Sequence, residues 1–247
     1  MNKKLNMNLT AKKRGFSLIE VLMAVGTLAI GMSFIGGTFM AGIYLSTLST
    51  ERTVAAVVAD EAFAKVRLYG VKPADPNLAI DRSTPFEALN TGVPPDEFTY
   101  PSTKIQSDKQ YSWSALCRSL YPGSTNRLVQ VTVFVSRKVG SGTVYPGGVS
   151  RPTPVEVGVS LISGGNQSTL RIIEPDRQAY INDGSKIVSD RTGDIYRVVQ
   201  RNPDAPDTIL LDRAWEGGST DSVWVVPPPV GGGRNPGIVV YQKVVQF

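Results

Sequence analysis

From Val21 to Thr50 the chain carries no charged residue. A helix that crosses a bilayer needs about 20 apolar residues, so this run is long enough to span one. Lys12, Lys13 and Arg14 stand just ahead of it. Positive charge flanking a span stays on the cytoplasmic side. The expectation is a single-pass anchor in the inner (cytoplasmic) membrane, with residues 16–45 in the membrane. The N-terminus is then cytoplasmic, and everything beyond about Leu45 lies outside the cytoplasm.

One acid, Glu20, sits at the head of the apolar run. At the centre of a membrane helix an acid costs roughly 2.5–3.5 kcal/mol on insertion scales, and less toward an end. Glu20 either tolerates an interfacial position or awaits a positive partner. A free amino group at residue 16 would serve, if the chain were cut after Gly15. An ordinary secretory signal has an apolar core of about 7–15 residues and a small-residue cleavage site. This run is longer and carries an acid.

The segment Lys13-Arg14-Gly15-Phe16-Ser17-Leu18-Ile19-Glu20-Val21 resembles the processing site of type IV prepilins and type II secretion pseudopilins. The resemblance covers about residues 12–69. It implies cleavage between Gly15 and Phe16 by a prepilin peptidase, N-methylation of Phe16, and a cytoplasmic leader charged by Lys12, Lys13 and Arg14. It also implies that Glu20 pairs with the N-terminal amine of a neighbouring subunit during assembly. The implied partners are the peptidase, other pilin or pseudopilin subunits, an inner-membrane assembly platform, and membrane lipid before assembly. Many pilins have a proline at about the place of residue 37, where the helix loosens in the filament; this chain has Gly36-Gly37 instead.

The net charge of +5 belongs to the leader. Residues 1–15 hold five of the 26 basic residues and no acid, leaving 21 basic against 21 acidic residues. Strong nonspecific nucleic-acid binding needs many phosphate contacts, so a nucleic-acid partner is not expected. A local patch such as Arg137, Lys138 and Arg151 is the remaining route to one. Histidine is absent, which removes the commonest general base and metal ligand. No Ser/His/Asp set, metal-ligand spacing or phosphate-cradling loop occurs, so neither catalysis nor a cofactor is expected. The single cysteine, Cys117, excludes an intramolecular disulfide.

Residues 16–69 read as one long helix. In its membrane half Gly37 and Ala41, and Gly42 and Ser46, have the spacing that lets membrane helices approach closely. From Glu51, Val54, Val58, Ala62, Val66 and Tyr69 recur at helical spacing, Glu61 precedes Lys65 by four residues, and Gly70 and Pro73 mark the end. Residues 70–108 are irregular, with a short helix at 86–89. Strands are expected at 110–116, 128–136 and 155–163, with a turn at 122–126 between the first two.

The fold class expected is α+β. A long N-terminal helix packs on an antiparallel, pilin-like β head over 70–171, and residues 172–247 form an additional small β domain. Its expected strands are 178–181, 186–188, 195–200, 208–211, 222–226 and 238–245, and their spacing suits a barrel or sandwich.

Three further groups suggest chemistry. Asp183, Asp190 and Asp194 are acids near turns, but their spacing is not that of a calcium loop; Asp204 and Asp207 have the character of loop acids. Trp113, Trp215 and Trp224 with Tyr196 and Tyr241 suit either a binding face or a packed core. Pro227-Pro228-Pro229 suits either a polyproline ligand or a stiff surface loop. The expected function is a minor pilin or pseudopilin subunit. The rival is a monomeric membrane-tethered binding protein.

Overall fold

Residues 15–72, 75–102, 110–121, 128–140, 142–162 and 167–247 are described by the structure, a computed structural model. The chain divides into two units, one ending at Thr50 and the other running from Glu51 to Phe247.

Helix α1 is Leu18–Tyr69. It is unbroken at Gly36-Gly37. Up to Leu45 its large apolar side chains are exposed. It is long and apolar enough to cross a membrane, compatible with a single-pass membrane protein.

In the second unit the face beginning at Glu51 is buried. Val58, Ala62 and Val66 lie in the core as the spacing predicts, with Ala55, Ala59 and Phe63 widening the stripe. Val54 and Tyr69 pack at its rim. Gly70 ends the helix with φ +75° and donates its N–H to the Val66 carbonyl at 3.0 Å. Only glycine takes this left-handed cap at little cost.

The helix packs on an antiparallel sheet. Its strands are β1 (Thr84–Pro85), β2 (Thr99–Tyr100), β3 (Tyr111–Ser119) and β4 (Leu128–Arg137), and a short helix α2 (Phe86–Leu89) follows β1. Both β1 and β2 pair with β3, and β3 pairs with β4. Alternation puts Trp113, Ala115 and Cys117 of β3, and Val129, Val131, Val133 and Val135 of β4, against the helix. The 122–126 turn, Pro73 and the leader charges Lys12, Lys13 and Arg14 lie outside the described residues.

The chain then builds a closed barrel from β5 (Val155–Leu161), β6 (Thr169–Ile172), β7 (Lys186–Ser189), β8 (Ile195–Arg201), β9 (Thr208–Leu211) and β10 (Thr220–Val225). Its strand order is β10-β5-β6-β9-β8-β7. Val157, Val159, Leu170, Ile187, Tyr196 and Ile209 fill the interior. Closure leaves no unpaired sheet edge.

Strand β11 (Gly237–Gln246) leaves the barrel and pairs along the whole of β4, with Tyr241 opposite Val133. The division expected at residue 172 therefore does not follow the sheets. Strand β5, placed by sequence with the head, belongs to the barrel together with β6, where no strand was expected, and β11, placed with the C-terminal unit, completes the head sheet. The barrel is an insertion between β4 and β11.

The strand expected at 178–181 is also corrected. Pro175–Tyr180 is a 3-10 helix with proline in its first turn. Proline cannot donate to a sheet ladder but suits the start of a helical turn. A third cluster, Leu116, Phe134, Val188, Trp224 and Val226, joins the back of the head sheet to the barrel's outer wall.

Candidate functional site

At the N-terminal end, Gly15 and Phe16 precede α1 and are exposed, and Ser17 is its first flanking residue. The backbone N–H of Glu20 donates to Ser17 Oγ at 3.2 Å. The backbone N–H of Ser17 donates to Glu20 Oε2 at 3.5 Å. This reciprocal pair is a capping box, satisfying two of the donors that a helix start leaves without partners. Glu20 therefore has a local role that the membrane argument omitted, although Ser-x-x-Glu was visible in the sequence. One long hydrogen bond leaves its carboxylate with spare acceptor capacity.

Where the helix meets the head, acids and bases are tied together. Glu51 is buried and accepts from Arg137 at the end of β4, and from Arg234 at 3.4 Å. Lys65 lies 2.7 Å from Glu61, as the four-residue spacing predicts, and 2.9 Å from Glu97. It also donates to the Glu97 carbonyl at 2.8 Å. That carbonyl takes the Trp113 indole N–H at 2.9 Å as well. Lys243 of β11 pairs with Asp60 at 2.8 Å and lies 4.6 Å from the Phe63 ring centre.

The three basic residues that a nucleic acid could have used are not a free patch. Arg137 is held by Glu51 and Arg151 by Glu87. Arg151 also stacks 4.5 Å over Phe98. Lys138 is exposed beside Arg137.

The aromatic residues form no common face. Trp113 packs with Phe86 and Phe98 under the helix, and Tyr241 borders the same core. Tyr196 and Trp215 pack together in the barrel, ring centres 4.9 Å apart. Trp224 belongs to the cluster between sheet and barrel. Pro227, Pro228 and Pro229 are buried, which overturns both the exposed-ligand and the surface-loop expectations.

The three acids near the barrel turns are engaged separately. Asp183 accepts the Arg201 N–H at 2.7 Å. Asp194 pairs with Arg213 at 3.5 Å. Asp190 is buried and accepts from Trp224 and Ser83. Burial raises the Asp190 carboxyl above its ordinary range, and the Trp224 and Ser83 hydrogen bonds oppose that rise. Among the described residues no group of three or more His, Cys, Asp or Glu side chains is placed to hold a metal. Cys117 is fully buried, and burial pushes its thiol up to about 12.

No family model, curated protein or solved structure matches the chain.

Proposed function

We propose that the chain is a prepilin-type subunit, a minor pilin or pseudopilin. It is cut between Gly15 and Phe16 and assembles into, or initiates, a type IV pilus or type II secretion pseudopilus. The observation that carries this reading is the Lys13-Arg14-Gly15-Phe16-Ser17-Leu18-Ile19-Glu20-Val21 segment at the start of one unbroken helix, Leu18–Tyr69. Its first part is apolar and exposed, and its second part packs on an antiparallel sheet. In this mechanism the apolar helix leaves the bilayer for a filament core that keeps its hydrophobic surface out of water. Glu20 recruits the next subunit by pairing with its N-terminal amine. The inserted barrel supports a minor rather than a bulk subunit, since it adds a large element that helix packing does not require.

The test is the intact mass and N-terminal sequence of the protein from membranes, with and without the prepilin peptidase. A chain beginning at methylated Phe16 only when the peptidase is present is expected. An uncut chain, or one cut elsewhere, rejects the proposal.

The closed barrel also supports a second reading, a membrane-tethered protein whose barrel binds an extracytoplasmic ligand. That reading expects an uncut chain and no effect of Glu20→Ala.

A further inference from the structure

Lys186 of β7 stands directly opposite Arg197 of β8 in the antiparallel register. Both point away from the barrel interior, because their neighbours Ile187 and Tyr196 are the buried pair. Like charges directly opposite on paired strands destabilise the pair. Lys186 is moreover half-buried, at the rim of the seam that contains Phe134, Val226 and Val240. Among the described residues its ammonium donates to the Ile238 carbonyl, at 3.3 Å, and to no other group. Burial lowers its pKa, and the charges of Arg52 and Arg197 lower it further.

Other bases converge on the same place. The Asn235 side chain donates to Ser185 at 2.9 Å, so Arg234 and Lys186 each adjoin one end of that bond in sequence. Arg234 reaches Glu51, the residue before Arg52. The carboxylate that meets Arg197, Asp212, accepts its backbone N–H at 3.0 Å. Among the described residues no ion pair forms on Arg52, Lys186 or Arg197. Glu51 is thus the one acid paired within the cluster, and Arg137 and Arg234 already share it.

Position along the chain identifies the missing anion. Arg52 follows the end of the charge-free run, Thr50, by two residues in the same helix. A basic cluster adjoining a membrane span lies within reach of the headgroups, and an anionic headgroup attracts Lys and Arg held within a Debye length of it.

We propose that Arg52, Lys186, Arg197 and Arg234 form a site for the phosphate-bearing headgroup of an anionic phospholipid. The headgroup supplies the counter-charge that the fold leaves out. The site rests on the membrane-inserted state of residues 16–45, and on neither cleavage nor filament assembly.

The test uses the full chain in lipid nanodiscs made of phosphatidylcholine, with or without phosphatidylglycerol. Hydrogen exchange is followed over residues 183–201, together with the thermal midpoint. In discs containing phosphatidylglycerol, wild type is expected to exchange severalfold more slowly over that segment and to melt higher. The Lys186→Gln/Arg197→Gln variant should lose both differences. In phosphatidylcholine it should melt no lower than wild type, because the substitution removes a like-charge pair. Equal exchange of wild type in the two lipids overturns the site, as does retention of the lipid effect by a folded variant. Inorganic phosphate added to phosphatidylcholine discs should not reproduce the protection; if it does, the lipid assignment is wrong. Failure of the chain to enter discs at all rejects the membrane reading itself, and gel filtration detects that separately.

Discussion

The indole N–H of Trp224 donates to Asp190 Oδ1 at 2.7 Å, and the same oxygen takes the backbone N–H of Ser83 at 2.8 Å. One buried carboxylate thus ties β10 of the barrel to the chain just before β1 of the head sheet. Because burial outweighs these bonds, the folded carboxyl binds its proton more tightly than the unfolded one. Its stabilising contribution is full below the ordinary value of 3.8 and is lost as pH rises through the folded value. Asp190→Asn keeps the carbonyl acceptor and removes that loss. The variant should be at least as stable as wild type near neutral pH, and should gain less on acidification. Urea unfolding of both proteins in detergent over about pH 4–7 measures the difference; parallel pH profiles would refute it. Asp221, also raised mainly by burial, contributes equally to both and drops out.

Glu20 has two roles that can be separated. Glutamine completes a capping box as well as glutamate does, but it cannot pair with an amine through charge. Glu20→Gln should leave helix content and monomer stability unchanged, yet abolish co-purification with neighbouring subunits. Glu20→Ala should also lose the return bond from the Ser17 N–H, while the Ser17 Oγ cap on the backbone N–H of residue 20 remains. Normal assembly of the glutamine variant would remove Glu20 from the assembly mechanism.

Glu51 is buried between two arginines that reach solvent. Solvent reduces the value of each pair, but truncation leaves Arg137 without its buried acceptor. Glu51→Ala should lower stability by about 1–2 kcal/mol. Chemical denaturation of the full chain in detergent checks this, and an unchanged midpoint would contradict it.

Gly193 has φ +75° in the turn between β7 and β8. A Cβ there would stand 2.9 Å from Gln130 Oε1 and 3.2 Å from the Arg118 guanidinium. Its carbonyl also accepts from Gln242 of β11 at 2.8 Å. Gly193→Ala combines backbone strain with displacement of the Arg118–Gln130 pair of the head, whose arginine reaches the barrel by donating to the Arg191 carbonyl at 2.7 Å. A loss of about 1–3 kcal/mol is expected, read as a lower thermal midpoint.

Cys117 should resist thiol reagents in the folded protein, since it is buried and its thiolate is scarce at neutral pH. Stoichiometric labelling before unfolding would show that the core opens around β3.

Much of the head was legible because its signals are local. The long helix follows from the apolar run and the spacing of Val58, Ala62 and Val66, and β4 from the alternation in Leu128–Arg137. The destination of β11 was not, because pairing Tyr241 with Val133 is a long-range choice that no nearby residue encodes. The same limit hid the closure of β10 on β5 and β7. The 178–181 error had a local remedy in Pro175, and the capping role of Glu20 had one in Ser17. The opposition of Lys186 to Arg197 needed the register, which periodicity alone does not give.

The barrel begins and ends at one place: Val155, its first strand residue, is the register partner of Val225, its last. Once the barrel has closed, the long excursion between β4 and β11 behaves toward the head as a short linker, with little loop-closure entropy left to lose. The head can therefore zip its last strand late. What is carried on the insertion is free to be exchanged for another closed unit, with no change in the instructions for folding the sheet beneath it.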